Sequence, residues 1–316
     1  MTRAPSPAAE PGTAGAPGAG GPSGYGVPVV ELAGAGYAYE EGPAVFEGVS
    51  FALSAGRRTA LLGRNGSGKT TLLRLLSGGL PCTGGELRLE GAALGRSRKE
   101  LTRLRSTVQL VLQDPDDQLF AASVGQDVSF GPMNLGLPEE EVRARVEQAL
   151  ESLDITPLRD RPTHLLSYGQ RKRSAIAGAV AMRPRVLILD EPTAGLDPDG
   201  QERLLETLAR LHEEGTTVVM ATHDVDLALL WADDAAVLTR EGVRTGPVDT
   251  LLADQDLLAA GGLRRPWGMA AAAALRHHGL LAPDAPGPRT AEQLDGWAEG
   301  EGTPAGTPPS APDKPR

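Results

Sequence analysis

One eight-residue stretch, Gly63-Arg64-Asn65-Gly66-Ser67-Gly68-Lys69-Thr70, limits what this chain can fold into more than any other. It fills the pattern G-x-x-x-x-G-K-[ST] directly after an apolar run, Thr59 to Leu62, and directly before a helical pattern carrying Leu72, Leu73, Leu75 and Leu76. A strand, a Gly-rich loop and a helix in that order make an anion cradle. The glycines let the backbone curl so that successive N–H groups point inward, the helix start adds its positive end, and Lys69 supplies a mobile charge. The expected ligand is a polyphosphate, with the Thr70 hydroxyl placed to meet a Mg2+ ion.

Two further runs, Val186 to Leu189 and Thr216 to Met220, read as buried strands, and Val108 to Leu112 is a fourth candidate. Glu139 to Leu153, behind Pro138, reads as an amphipathic helix. Strands alternating with helices predict an α/β domain around a largely parallel sheet. Val186 to Leu189 ends in Asp190-Glu191. Two adjacent acids at the end of a buried strand cost a good deal unless a cation meets them. Beside a phosphate loop their roles divide. Asp190 holds Mg2+, directly or through water, and Glu191 orients or deprotonates the water that attacks a γ-phosphate.

Composition sets the outer limits. Forty-one acidic against 31 basic side chains give a net charge of -10, the wrong sign for a general nucleic-acid binder. The 40 Gly and 26 Pro exceed ordinary globular use and collect at the two ends. Residues 1–28 read as a disordered Ala/Gly/Pro-rich arm and 282–316 as a disordered Pro-rich tail, in which Trp297 alone hints at a contact. Neither arm carries apolar periodicity with which to join a core. Cys82 is the only cysteine, which excludes an intrachain disulfide and fits a reducing cytoplasm. There is no apolar export signal, and no run approaches the length of a membrane span.

Between the loop and the acidic pair stands Leu166-Ser167-Tyr168-Gly169-Gln170-Arg171-Lys172-Arg173, which resembles the signature sequence of ABC-type ATPases, with Tyr168 where Gly is usual. Gln113 looks like that family's Q-loop glutamine, Ala194-Gly195-Leu196-Asp197 like its D-loop, His223 like its switch histidine, and Tyr39 like the aromatic on which adenine stacks. The resemblance covers about residues 29–240. It implies a P-loop NTPase (RecA-like) α/β core with an antiparallel β subdomain and a small α-helical subdomain. The ABC ATPase domain would span 29–250, its helical part about 114–180, with a C-terminal helical extension at 251–281. It implies ATP and Mg2+ as the ligands, and Glu191, His223, Gln113 and Lys69 as the hydrolytic residues. Gly63, Arg64, Asn65, Gly66, Ser67, Gly68, Lys69, Thr70 and Thr71 would cradle the phosphates. Thr70, Gln113 and Asp190 would face the metal. Ser167, Gly169 and Gln170 would cap a nucleotide held by the opposite subunit, so that two ATP molecules lie sandwiched in a homodimer or a dimer with a sister ATPase.

A finer resemblance runs from Gln113 to Phe120 and from Asp127 to Leu137. It looks like the energy-coupling-factor and cobalt/nickel branch of importers, whose ATPases sit at the cytoplasmic face of the cell membrane. The partners implied are a membrane coupling protein and a substrate-binding membrane subunit, with no nucleic acid. Leu119, Phe120, Val124, Val128, Phe130 and Met133 form the apolar cluster expected to receive the coupling helix. Cobalt or nickel is the favoured cargo and a vitamin the alternative; a non-transporting ABC ATPase is the remote one. Asp114, Asp116 and Asp117 read as a solvated turn.

Overall fold

The computed structural model describes residues 27–40, 42–283, 285, 287–290 and 293–294. Nearly all of the N-terminal arm, most of the C-terminal tail and Trp297 lie outside the described residues.

The chain opens with β1 (Val30–Ala38) and β2 (Ala44–Leu53), then β3 (Arg58–Leu62), the Gly-rich loop and α1 (Lys69–Leu76). Next come β4 (Gly84–Leu89), β5 (Ala92–Ala93), α2 (Arg98–Thr107) and β6 (Val108–Val111). Three helices follow, α3 (Val124–Asn134), α4 (Glu139–Ser152) and α5 (Tyr168–Ala181). The core resumes with β7 (Val186–Asp190), α6 (Pro198–Glu213), β8 (Thr217–Thr222), α7 (Val225–Trp231), β9 (Asp234–Thr239) and β10 (Gly242–Pro247). α8 (Val248–Ala253), α9 (Gln255–Ala260) and α10 (Trp267–His277) close it.

Two sheets result. One is antiparallel in the order β2-β1-β4-β5; the other runs β10-β9-β3-β8-β7-β6, parallel throughout except for the edge pair β9 and β10. The runs read as strands from sequence become β3, β6, β7 and β8, all in this second sheet. The largely apolar character of β3, β7 and β8 has a physical cause, since both faces are covered; β6, at the edge, carries Gln109 and is partly buried. Along β7, Val186 and Ile188 face the cluster that holds α1 and the antiparallel sheet, whereas Leu187 and Leu189 face the cluster of α3 to α7. α1 is clamped between the sheets. Its Leu72, Leu73, Leu75 and Leu76 are fully buried, each contributing about 2 kcal/mol by removal from water.

One expectation needs correction. Val124 and Val128, expected in an exposed cluster, point inward from α3 and are wholly buried. The tail, expected to be disordered from 282 onward, makes hydrogen bonds to the helices at its described residues. Arg289 donates to Asp249 at 2.7 Å and to Leu229 O at 3.0 Å, and Arg276 donates to Ala285 O at 2.5 Å. The docking is close at Gly268 in α10, where a Cβ would meet Pro288 O at 1.8 Å, so only glycine admits the segment there.

Candidate functional site

The site is assembled at the carboxyl ends of β3, β6, β7 and β8. The loop after β3 turns through Gly66 at φ 77° and Gly68 at φ 100°, left-handed values that a glycine adopts without strain. Gly68 caps α1 and offers no side-chain acceptor, which leaves the first-turn N–H groups directed at whatever lies in the loop. Lys69 is buried; its Nζ donates to Gly63 O at 2.8 Å and lies 3.6 Å from Glu191 Oε1. The Thr70 hydroxyl donates to Asp190 Oδ2 at 2.5 Å. Asp190 is 2% exposed. Burial pushes its carboxyl above the ordinary range, the Thr70 hydrogen bond opposes this, and the Glu191 charge adds to it.

Among the described residues no group of three or more His, Cys, Asp or Glu side chains is arranged to hold a metal ion. A cation here would rely on Thr70, Asp190 and phosphate oxygens. That hard-oxygen donor set fits Mg2+, which is commonly held by one or two carboxylates together with substrate phosphates.

Glu191 and His223 meet, with His223 Nδ1 3.2 Å from both Glu191 carboxylate oxygens. Lys69, Thr70, Thr71, Arg64, Asn65, Gly66, Gly68, Gln113, Asp190, Glu191 and His223 line one cleft of about 460 Å³, with Tyr39 at its mouth. Tyr39 is 46% exposed, touches Tyr37 edge-on at 4.9 Å and shares a 3.1 Å hydrogen bond with the Thr71 hydroxyl. Gln113 also lines an adjoining cleft of about 320 Å³ with Thr70, Tyr168 and Asp190. Ser67 Oγ is buried without a partner. The Arg64 N–H donates to Gly261 O at 3.1 Å, so the segment after α9 braces the loop from outside.

The structure does not bring Ser167, Gly169 and Gln170 into the cleft of Lys69. They open α5, where Ser167 and Gln170 form a reciprocal cap, the Gln170 N–H donating to Ser167 Oγ at 3.3 Å and the Ser167 N–H to Gln170 Oε1 at 3.0 Å. Tyr168 is the first helical residue, a backbone that any residue adopts, which is why it can replace a glycine. Its ring fills the space over Gly195, where a Cβ would come within 2.7 Å.

Sequence reasoning missed Lys172. It is 1% exposed and donates from Nζ to Glu191 O at 2.7 Å and to Ala194 O at 3.3 Å. Lying between Arg171 and Arg173, it carries no signal of burial.

Comparison with known proteins places this geometry in a family. A family model described as ABC transporter matches residues 46–194. An ABC transporter ATP-binding protein of Streptomyces coelicolor is 71% identical over 271 residues, 86% of this chain and 95% of its own. The cobalt import ATP-binding protein CbiO of Rhodobacter capsulatus is 50% identical, covering 85% of this chain and 98% of its own. The energy-coupling factor transporter ATP-binding protein EcfA of Methanosphaera stadtmanae is 42% identical, with coverages of 76% and 86%. Among solved structures, cbiO1 of Clostridium perfringens, part of the ABC transporter complex cbiONQ, is 41% identical, with a TM-score of 0.65 over 74% of this chain and 94% of its own. A dimeric ATP-binding cassette in a post-hydrolysis state bound to ADP and Pi is 26% identical, with a TM-score of 0.63 and coverages of 69% and 98%.

Proposed function

We propose, from the premise that this chain belongs to the ABC transporter family and is an ATP-binding subunit of the CbiO and EcfA type, that it hydrolyses Mg-ATP to power import of cobalt or nickel ions through a membrane coupling protein. One observation carries the hydrolytic part: Lys69, Thr70 with Asp190, and Glu191 with His223 converge on a single cleft. The loop N–H groups and Lys69 hold the β- and γ-phosphates. Thr70, Asp190 and Gln113 would hold Mg2+, which neutralises phosphate charge when bound. Glu191 orients a water and takes its proton as the water oxygen bonds to the γ-phosphorus and the bond to the β-phosphate oxygen breaks, giving ADP and phosphate. His223 fixes the Glu191 carboxylate. Tyr39 stacks on the adenine.

Ser167, Gly169 and Gln170, outside this cleft, would complete the cleft of a second subunit in an ATP-sandwich dimer. The dimeric ADP-bound neighbour supports that arrangement. Docking at the cytoplasmic face of the membrane follows from the same reading; among the described residues no helix is long and apolar enough to cross a membrane. The cargo rests on the 50% identity with a cobalt import protein; a vitamin is the second reading, kept open by relatives named as energy-coupling factor transporter subunits.

Lys69→Ala should lose ATP turnover and bind ATP more weakly. Glu191→Gln should bind ATP normally while hydrolysis slows by about 10²- to 10⁴-fold, and on a sizing column it should remain a dimer in ATP. Unchanged turnover in either variant overturns the hydrolytic assignment. Isotope uptake by cells expressing the chain with its membrane subunits decides between cobalt, nickel and a vitamin.

A further inference from the structure

Glu191 sits in a backbone conformation that its own sequence disfavours. It is a non-glycine residue at φ 46°, and it precedes Pro192, whose ring restricts the residue before it to extended backbone. A turn of this kind persists only where its surroundings over-determine it. The sheet supplies one restraint, the Glu191 N–H donating to Ala221 O at 3.0 Å, and the turn itself supplies a second, the Ala194 N–H donating to Glu191 O at 3.2 Å. The third comes from a different element. Lys172, in the first half of α5, is sealed from solvent and donates to Glu191 O at 2.7 Å and Ala194 O at 3.3 Å. It donates to carbonyls and not to a carboxylate. A buried ammonium with no carboxylate in hydrogen-bond contact is costly, and an apolar side chain of similar volume would fill the space without that cost. Fold stability therefore does not account for a lysine here, whereas geometry at Glu191 does.

The geometry points to Lys172 as a positioning residue for hydrolysis. Its ammonium ties the helix that begins at the signature turn to the Glu191 carbonyl, fixing the turn that aims the Glu191 carboxylate. A shift of the signature turn, which would cap the partner's nucleotide, is thereby carried to this chain's own hydrolytic carboxylate. The inference rests on the role proposed above for Glu191.

The test compares the full-length chain with Lys172→Met, which keeps length and burial but has no donor, alone and in a Glu191→Gln background. Turnover, KM for ATP, binding of a fluorescent ATP analogue and the thermal midpoint are measured for each. In Lys172→Met, kcat should fall by about 10- to 100-fold, the effect of misplacing a reacting group by about 1 Å. KM and analogue affinity should move by less than about 2-fold, and the thermal midpoint should not fall. In the Glu191→Gln background the same substitution should cost less than about 2-fold in turnover, because the group it positions is already gone. Lys172→Gln, a shorter donor, should fall between and decides the matter if Lys172→Met does not fold.

Unchanged kcat, a loss in kcat matched by an equal loss in analogue affinity, or an undiminished further loss in the Glu191→Gln background overturns the assignment. An active wild type with an equally active Lys172→Met overturns this inference alone. A wild type that binds the analogue without turnover overturns the hydrolytic role of Glu191 and this inference together.

Discussion

The charge on Lys172 has a consequence for stability that separates it from a surface lysine. Burial pulls its ammonium down to about 8, while the nearby carboxylates of Glu191, Asp190 and Asp114 act to raise it. An unfolded lysine titrates near about 10.4. Below pH 8 both states hold the proton, and burying the charge counts fully against the fold. Between about pH 8 and 10.4 only the unfolded chain keeps the proton, so this group makes stability rise with pH. Lys172→Met has no such group. Its stability relative to wild type should therefore be highest at pH 7 and should drop measurably by pH 9.5, read as urea midpoints of the two proteins side by side; a pH-independent difference would show the ammonium to be unperturbed. Residues of this kind are hard to see in a sequence. Thr70, Asp190, Glu191 and His223 were legible because each ends a strand or a loop of recognisable pattern. Lys172, flanked by Arg171 and Arg173, reads as one of three solvated bases, and only its direction into the turn after β7 reveals otherwise.

Among the elements, α3 shows where pattern reading stops. Its sequence mixes Val124, Val128, Phe130, Pro132 and Met133 with two glycines, so apolar residues surround the helix and no single face is marked as inward. Packing decides it. Val124 and Val128 enter the core beside α4 and α5, whereas Phe130 is 50% exposed and Phe120, just before the helix, is 65% exposed. The two rings lie edge to face at 4.7 Å on the wall of an open cleft shared with α2 and α5. Polar substitution should therefore split the group. Val128→Ser should lose several kcal/mol through cavity and buried-polar terms, about 2 to 4 kcal/mol by analogy with core truncations, while Phe120→Ser and Phe130→Ser should each change stability by less than about 1 kcal/mol. The two Phe variants should keep basal ATPase activity and lose copurification with the membrane subunits. Equal destabilisation of all three would return the rings to the core. β3, β7 and β8 posed no such difficulty: they are covered on both faces, and a largely apolar run records that directly. β9, with Ala235 and Ala236 in place of larger residues, went unread because small side chains carry a weak strand signal.

At the scale of the whole molecule, the region after β10 belongs to the machine and is more than an appendage. α9 ends at the loop that accepts the Arg64 N–H of the phosphate loop, and Gly262, at φ 64°, lies against the Arg64 side chain. Farther on, α10 is fastened to α7, with the Trp267 N–H and Arg264 both donating to Asp226 at 2.7 Å. The described part of the tail then closes over α10, Gly287 against Ala272 and Pro288 against Gly268, while Arg289 reaches α8 and α7. Composition hid this, since a Pro- and Ala-rich stretch has no periodicity, and the docking depends on backbone approach at a glycine and on two arginines, Arg276 and Arg289. Removing residues 282–316 should accordingly cost stability. The Arg289 and Asp249 side chains are 38% and 60% exposed, so their pair is worth less than about 1 kcal/mol, and the bond to Leu229 O adds about 1 kcal/mol. With the lost packing on α10, the total is about 2 kcal/mol, which in a domain of this size lowers the thermal midpoint by roughly 4 to 8 °C. Arg289→Ala should reproduce about half or more of that shift, since it removes both bonds and spares only the backbone contacts at Gly268. ATP turnover at 25 °C should be retained in both, for the hydrogen bonds of the described residues from 282 onward go to α7, α8, α10 and one another rather than to the phosphate loop, and the brace at Gly261 lies before the cut. A truncation with an unchanged midpoint in differential scanning calorimetry would show that the docked segment holds nothing in place, and loss of turnover without loss of stability would show that it reaches the site by a route other than packing.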